Sequence, residues 1–236
     1  PKISIMYLIP KIHKDSTKPP GRPIISAIGS LLENTSMFVD HFLRPYVVGL
    51  QSYIRDTTDF LRVIHDIYWE TQFKLITMDI TSLCTCINHQ LGVQACRYFF
   101  KTPPLAYFLH TEMVVEMLDY CLKHNLFLFN GAFFCQTQGT AMGSCFTPSY
   151  ANLFMGWWEE QVASNTIGYD DHVVLWVRYI VDLFVIWRGS THSAQQFISR
   201  LNDNAVNLQI SSSISDKEID FLVIHVTVSG DRKSVV

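Results

Sequence analysis

Residues 173–187 read VVLWVRYIVDLFVIW, apolar almost without interruption, with Arg178 and Asp182 as the charged positions. Periodicity alone does not separate one buried element from two strands here. β-Branched and aromatic residues dominate on both sides of Ile180, Val181 and Asp182, which predicts two strands meeting at that point. Asp182 then sits at the tip of a hairpin with buried arms. An ionised carboxylate in such a place is costly unless a partner or a metal compensates it. Taken alone, the same residues also fit an Asp at a solvated turn.

The pattern of the remaining chain predicts a mixed series of elements. Residues 3–9 form an apolar strand, and residues 24–25 resume one after the basic segment KIHKDSTKPPGRP at 11–23, whose prolines exclude a helix. A helix over 36–43 ends near Pro45. Asp56 or Thr57 caps a helix with Phe60, Leu61 and Ile64 on one face. The run KLITMDI at 74–80 predicts a strand with Asp79 near its C-terminal end, where ligands often gather. Residues 89–100 read as a helix broken by Pro103 and Pro104. Val114, Met117, Leu118, Cys121 and Leu122 follow the spacing of an amphipathic helix. FLFNGAFFC at 127–135 predicts a hairpin turning at Asn130 and Gly131.

QGTAMGS at 138–144 predicts a small-residue loop leading to Thr147 and Pro148, an N-cap and first-turn pair. Such a loop running into a helix can take an anion or let a substrate approach the backbone, and it equally serves plain tight turns. The helix that follows carries Ala151, Phe154, Met155 and Trp158, and a later one carries Ala194, Phe197, Ile198 and Leu201. Residues 208–210 and 219–228 read as closing strands. No internal repeat and no linker divides the chain.

Composition narrows the class. At 236 residues, 48% hydrophobic and 17% charged, the chain holds ample core for one large domain or two intimate subdomains. No apolar run reaches the roughly 18 residues that span a bilayer, so no membrane segment is predicted. No signal peptide opens it. It begins at Pro1 without an initiator Met and reads as a fragment. The net charge of −3 argues against a uniformly nucleic-acid-coating protein, yet Lys2, Lys11, Lys14, Lys18 and Arg22 stand against Asp15 alone at the start. A local basic strip of this kind binds phosphates even on an acidic chain, or is a solvated loop. The six cysteines make no CxxC pair and no zinc spacing, which predicts reduced thiols in an intracellular protein.

Asp79 and Asp182 each end an apolar strand. Brought together, two such carboxylates suit Mg²⁺, which takes few protein carboxylates and fills its shell with water and phosphate oxygens. That chemistry serves phosphoryl transfer. The ordered series LIPKIHK…PPGRPIIS, LITMDITSL, QGTAMGS-x-x-x-P-x-x-A-N, RYIVDLFVIW and IDFL resembles a reverse transcriptase domain, and the opening motif and the GTAMG loop are most similar to Penelope-like retroelements.

The resemblance spans nearly the whole chain and implies an α/β (α+β) right-hand fold. In it, residues 1–75 are fingers with the start of the palm. Residues 76–230 are palm with inserted fingers-side helices, and residues 231–236 begin a truncated C-terminal region. It implies RNA or DNA template with primer, deoxynucleoside triphosphates and Mg²⁺ as partners. Asp79 and Asp182 match metal-binding catalytic aspartates. Arg22, with Lys11 or Lys14, matches positions that contact the triphosphate. Gln138 and Gly139 match the loop that cradles nucleotide and template. Phe221 and Leu222 match the following primer-side strand. An element of this kind also needs access to chromosomal DNA, and hence to the nucleus.

The sequence departs from that pattern at the chemistry. Val181 stands where the first aspartate of the Tyr-x-Asp-Asp signature falls, and valine ligates no metal. Strand alternation would also turn Val181 to the face opposite Asp182. Cys84 replaces an aromatic residue at the nucleotide sugar, Val223 replaces an aspartate, and Cys86 and Asn88 also differ. Tyr169-Asp170-Asp171-His172 lacks the spacer residue and reads as solvated turn charge. The expectation is a reverse transcriptase fold with impaired catalysis; the alternative is a non-enzymatic nucleic-acid-binding module or relic.

Overall fold

Local sequence rules account for most of the elements in the computed structural model, which describes residues 2–12, 16–101 and 111–228. Strand β1 (Ser4–Pro10) pairs antiparallel with β2 (Gly21–Ser26). β2 begins before the strand predicted at 24–25 and includes Arg22 and Pro23, so the basic loop is shorter than the sequence implied. Pro23 is tolerated because β2 is an edge strand, where a missing N–H leaves no ladder bond unmade.

Helix α1 (Glu33–Val48) runs straight through Pro45, where the sequence predicted an end. Burial of Val39, Leu43 and Val47 at four-residue spacing outweighs the hydrogen bond lost at the proline. α2 (Thr57–His65) starts at Asp56, whose carboxylate accepts from the Asp59 N–H at 2.9 Å. Strand β3 (Phe73–Ile80) follows, then a single turn α3 (Leu83–Cys86). α4 (His89–Phe100) is capped by Asn88, whose side-chain oxygen accepts from the N–H groups of Gln90 and Leu91 at 2.9 and 3.2 Å. This gives the residue at 88 a structural occupation of its own. The predicted break at Pro103 and Pro104 lies outside the described residues.

α5 (Thr111–Lys123) buries Val114, Leu118, Cys121 and Leu122 of its predicted stripe, with Val115 added and Met117 only half-buried. β4 (Leu126–Phe129) and β5 (Ala132–Cys135) form the Asn-Gly hairpin, with Asn130 and Gly131 at φ 49° and 78°. α6 (Thr147–Trp158) buries Ala151, Phe154, Met155 and Trp158. The Thr147 hydroxyl does not cap it; that group donates back to the Ala141 carbonyl at 2.6 Å. A five-residue π-helix (Glu159–Ala163) continues from α6, a feature the periodicity did not signal.

The one-turn α7 (Tyr169–His172) leaves Asp170 and Asp171 exposed, as solvated turn charge should be. β6 (Val173–Tyr179) and β7 (Asp182–Arg188) are the two arms predicted for 173–187. α8 (Thr191–Asn202) buries Ala194, Phe197, Ile198 and Leu201. The closing region differs from prediction. β8 (Ile210–Ser215) begins where a strand was expected to end, because pairing with β3 carries it through three serines. The single strand expected over 219–228 is a hairpin of β9 (Glu218–Phe221) and β10 (Ile224–Thr227).

The elements divide into two compact units, Pro1–Val47 with Ser82–Phe154, and Val48–Thr81 with Met155–Val236. The first holds a four-stranded sheet in the order β2-β1-β4-β5, with β1 parallel to β4. The second holds an antiparallel sheet in the order β6-β7-β3-β8 and the β9–β10 pair. One face of that second sheet, with Leu75, Phe184 and Ile186, packs on Phe60 and Ile64 of α2 and on Ile219 and Phe221. Among the described residues no helix is long and apolar enough to cross a membrane.

Replacing Asn88 by Ala should lower stability by about 1 kcal/mol, because two N–H groups at the start of α4 lose their acceptor. Asn88→Asp should preserve stability. The urea midpoint of each variant checks this; equal midpoints for Ala and wild type would contradict the cap.

Candidate active site

Antiparallel pairing of β3 with β7 sets Asp79 directly opposite Asp182, and pairing of β6 with β7 sets Tyr179 opposite Asp182. β8 adds Ser211 beside Asp79. Because side chains alternate, both carboxylates share the face that carries Leu75, Phe184 and Ile186 further along. The apolar cluster closes that face over most of its length, and the carboxylates stand where it ends. They line a cavity of about 230 Å³ together with Thr77, Ser211, Ser213 and Phe221.

Electrostatics mark this as a strained pair. Partial burial raises the Asp182 carboxyl above its ordinary range, and the facing Asp79 charge raises it further. Among the described residues no group of three His, Cys, Asp or Glu side chains is placed to hold a metal, so the carboxylate pair stands short of a three-ligand site.

Two hairpin turns serve this cavity, and both hold an aliphatic residue in the left-handed region: Ile180 at φ 54° and Leu222 at φ 53°. Such conformations cost about 1–3 kcal/mol each and cluster where surrounding structure over-determines them. Val181 is the second residue of the β6–β7 turn rather than a strand residue. The strand alternation expected to turn it away from Asp182 therefore does not apply to it. Its carbonyl accepts from the Ile80 N–H at 3.2 Å, tying the turn to the end of β3.

Asp220, which the sequence reading passed over, also lines the cavity. It is exposed and accepts a hydrogen bond from His225 Nδ1 at 2.7 Å. The alternation of EIDF, with Ile219 and Phe221 buried, was the available signal for a polar residue beside Phe221.

The other candidates lie in the first unit. Arg22 is exposed on β2, and the Lys11 N–H closes the basic loop on the Pro20 carbonyl at 2.9 Å. Lys14 lies outside the described residues. The glycine loop is fastened to the α3 turn. The Gly139 N–H donates to Ile87 O at 2.9 Å, the Thr140 N–H to Cys84 O at 2.6 Å, and the Gln138 side-chain amide to Cys86 O at 2.9 Å. Gly139 has φ +73°, and a Cβ there would lie 2.5 Å from the Cys84 carbonyl oxygen. The close approach that glycine allows is thus made by the chain's own backbone.

Buried His89, also missed from sequence, shares a hydrogen bond between Nε2 and the Gly139 carbonyl at 2.7 Å. Its place in the first turn after the Asn88 cap, facing the loop, is not encoded in any local pattern. Burial raises the Cys84 thiol, Cys86 adds to this, and the Arg22 charge opposes it.

No family model matches this chain, and no curated protein matches it. Solved structures do. The apo telomerase of Candida tropicalis is similar with a TM-score of 0.73 and 12% identity, over 95% of this chain and 46% of that one. The telomerase of Candida albicans in complex with the TWJ fragment of telomeric RNA gives 0.69 and 11%, over 95% and 45%. The RNA-dependent RNA polymerase of a human picobirnavirus gives 0.65 and 13%, over 99% and 45%. The chain therefore spans about half the length of these neighbours. At such identities the likeness establishes the fold alone, one shared with these telomerases and this RNA-dependent RNA polymerase.

The raised Asp182 carboxyl has a consequence for stability. Between the ordinary value of 3.8 and the raised one, the folded state holds more proton than the unfolded state. Stability from this group is therefore present at low pH and lost as pH rises through the folded value. Asp182→Asn should melt at a higher temperature than wild type at pH 7, with the gap closing towards pH 4 (about the unperturbed Asp value). A constant gap across that range would show that the Asp182 carboxyl is not raised.

Proposed function

We propose that this chain is the reverse transcriptase domain of a Penelope-like retroelement in which catalysis has been impaired at one metal ligand. The observation that carries this reading is the Asp79–Asp182 pair, opposed across β3 and β7 at a hairpin tip within a polymerase-type fold. In this reading the β6-β7-β3-β8 sheet is the palm. Arg22 and Lys11 face triphosphate, and the partners are a primed RNA or DNA template and deoxynucleoside triphosphates. Telomerase bound to telomeric RNA among the similar structures supports a nucleic-acid partner. The place of work is intracellular, with access to the nucleus.

The donor set fits one hard divalent cation. Two facing carboxylates that repel one another are stabilised by a cation between them, and Mg²⁺ completes its shell with water and phosphate oxygens. Asp79 and Asp182 would hold Mg²⁺, which when bound supplies charge neutralisation at the reacting phosphate. The chain's own residues do the rest. β3 and β7 fix the two carboxylates in register, and the Gly139 loop fixes the backbone of Cys84. The cavity floor of Ser211, Ser213 and Thr77 offers hydroxyl groups beside the carboxylates. Val181 contributes no ligand, so the site lacks the donor that would hold a second cation.

Loss of one metal ligand removes several kcal/mol of transition-state stabilisation, at about 1.36 kcal/mol per decade of rate. Primer extension on an RNA template with Mg²⁺ should give background activity for the chain as written and template-directed product for Val181→Asp. Extension by the unaltered chain would refute the impairment. Silence from both folded proteins would move the defect to Cys84 or Val223.

A second reading, a non-enzymatic nucleic-acid-binding module, is favoured specifically by Val181, which contributes no ligand beside the two carboxylates. It predicts that primer–template binding is insensitive to Mg²⁺ removal by chelation and falls steeply with salt as phosphate counterions are released. Binding that requires Mg²⁺ would count against it.

A further inference from the structure

Arg178 is fully buried in β6, two residues before the strained Ile180. Its guanidinium grips the Glu159 carboxylate side-on, Nε to Oε1 at 2.8 Å and Nη2 to Oε2 at 3.2 Å. The remaining nitrogen, Nη1, donates to the carbonyl of Ile180 at 3.1 Å. The carboxylate is itself saturated: Trp176 Nε1 donates to Oε1 at 2.9 Å and Ser52 Oγ to Oε2 at 2.5 Å. Glu159 is the first residue of the π-helix, a local irregularity that often marks a functional position. The backbone of Arg178 is also pinned, its N–H to Ser52 O at 2.6 Å and its carbonyl to Ile54 N at 3.0 Å.

A buried ion pair is weak evidence for stability, since apolar residues of like size often serve as well. What an apolar pair cannot supply is a fixed donor aimed at a turn carbonyl. We propose that Arg178, oriented by Glu159, is a positioning residue that holds the left-handed Ile180 turn and thereby the Asp182 carboxylate opposite Asp79. The inference rests on the reading of Asp79 and Asp182 as a cation site, and it assigns the π-helix a purpose: placing Glu159 to orient the guanidinium. Arginine is required because its planar fork satisfies the carboxylate and the turn at once, whereas a lysine ammonium serves one.

The test uses the whole chain. Arg178→Lys keeps a cation against Glu159 and withdraws the turn contact. Amide hydrogen exchange at residues 180–183 should accelerate about tenfold, as expected for one lost charge-assisted hydrogen bond, with the rest of β6 and β7 unchanged. Mn²⁺ affinity, read by paramagnetic resonance of the free ion, should weaken by a similar factor. Ile180→Gly added to Arg178→Lys should recover most of the exchange protection, because glycine adopts that backbone conformation without strain.

A merely structural pair predicts the opposite pattern: exchange rising throughout β6 and β7, and no rescue by glycine. That result overturns the proposal, as does unchanged exchange at the turn. If Arg178→Lys fails to fold, Arg178→Met with Glu159→Gln removes both charges and the turn donor together, and the same local acceleration and glycine rescue decide. Failure of wild type to bind Mn²⁺ would strike the cation reading alone, since exchange reports the turn without metal.

Discussion

Asp79 meets Asp182 because β3 pairs with β7 in one register from Phe73 opposite Arg188 to the two carboxylates at the far end. A slip of one residue would carry Asp79 to the other face and bring Leu75 out of the cluster that holds Phe184 and Ile186. The apolar packing and the carboxylate pair are therefore enforced together. Burying Phe60, Leu75, Phe184 and Phe221 fixes the register, and the register brings like charges face to face against their mutual repulsion. The core supplies the free energy that this end of the sheet stores.

The glycine loop solves a comparable problem in the other unit. Gly139 and Gly143 both approach backbone carbonyls, those of Cys84 and Ile25, more closely than any side chain allows. The loop thereby becomes a strap between α3 and β2, with His89 and Gln138 adding side-chain bonds to it. Cys84 owes its fixed backbone to this strap. The loop bonds use the Cys84 carbonyl and not its thiol, so the strap is made by backbone alone at that position.

Much of this was legible in the sequence, and particular residues show why. The run at 173–187 declared a hairpin because two β-branched and aromatic arms flank a single carboxylate, and Asn130-Gly131 declared another. Asp79 and Asp182 stood out as charges ending apolar strands. What escaped was set by distant partners. Pro45 continues a helix because burial on either side of it prevails over local cost. Ser211 to Ser213 form a strand because β3 offers hydrogen bonds, not because serine favours one. The Arg178–Glu159 pair spans 19 residues through a π-helix, and no periodicity announces such a meeting. Asp220 and His89 were visible as letters but acquired their neighbours from tertiary structure.

Each unit is discontinuous in sequence, and this orders events during synthesis. β1 is made before β4, with which it pairs in parallel, and β3 waits for β7 and β8, which follow far along the chain. The first unit has all four strands of its sheet once β5 is made, whereas the second must wait for β7 and β8. The nascent chain carries the apolar β3 unpaired until β7 and β8 have been made, and such long-range pairing is slow to complete. The second unit is thus poorly suited to piecemeal assembly: its two carboxylates meet only after the strand that carries Asp182 has been made, long after the one that carries Asp79.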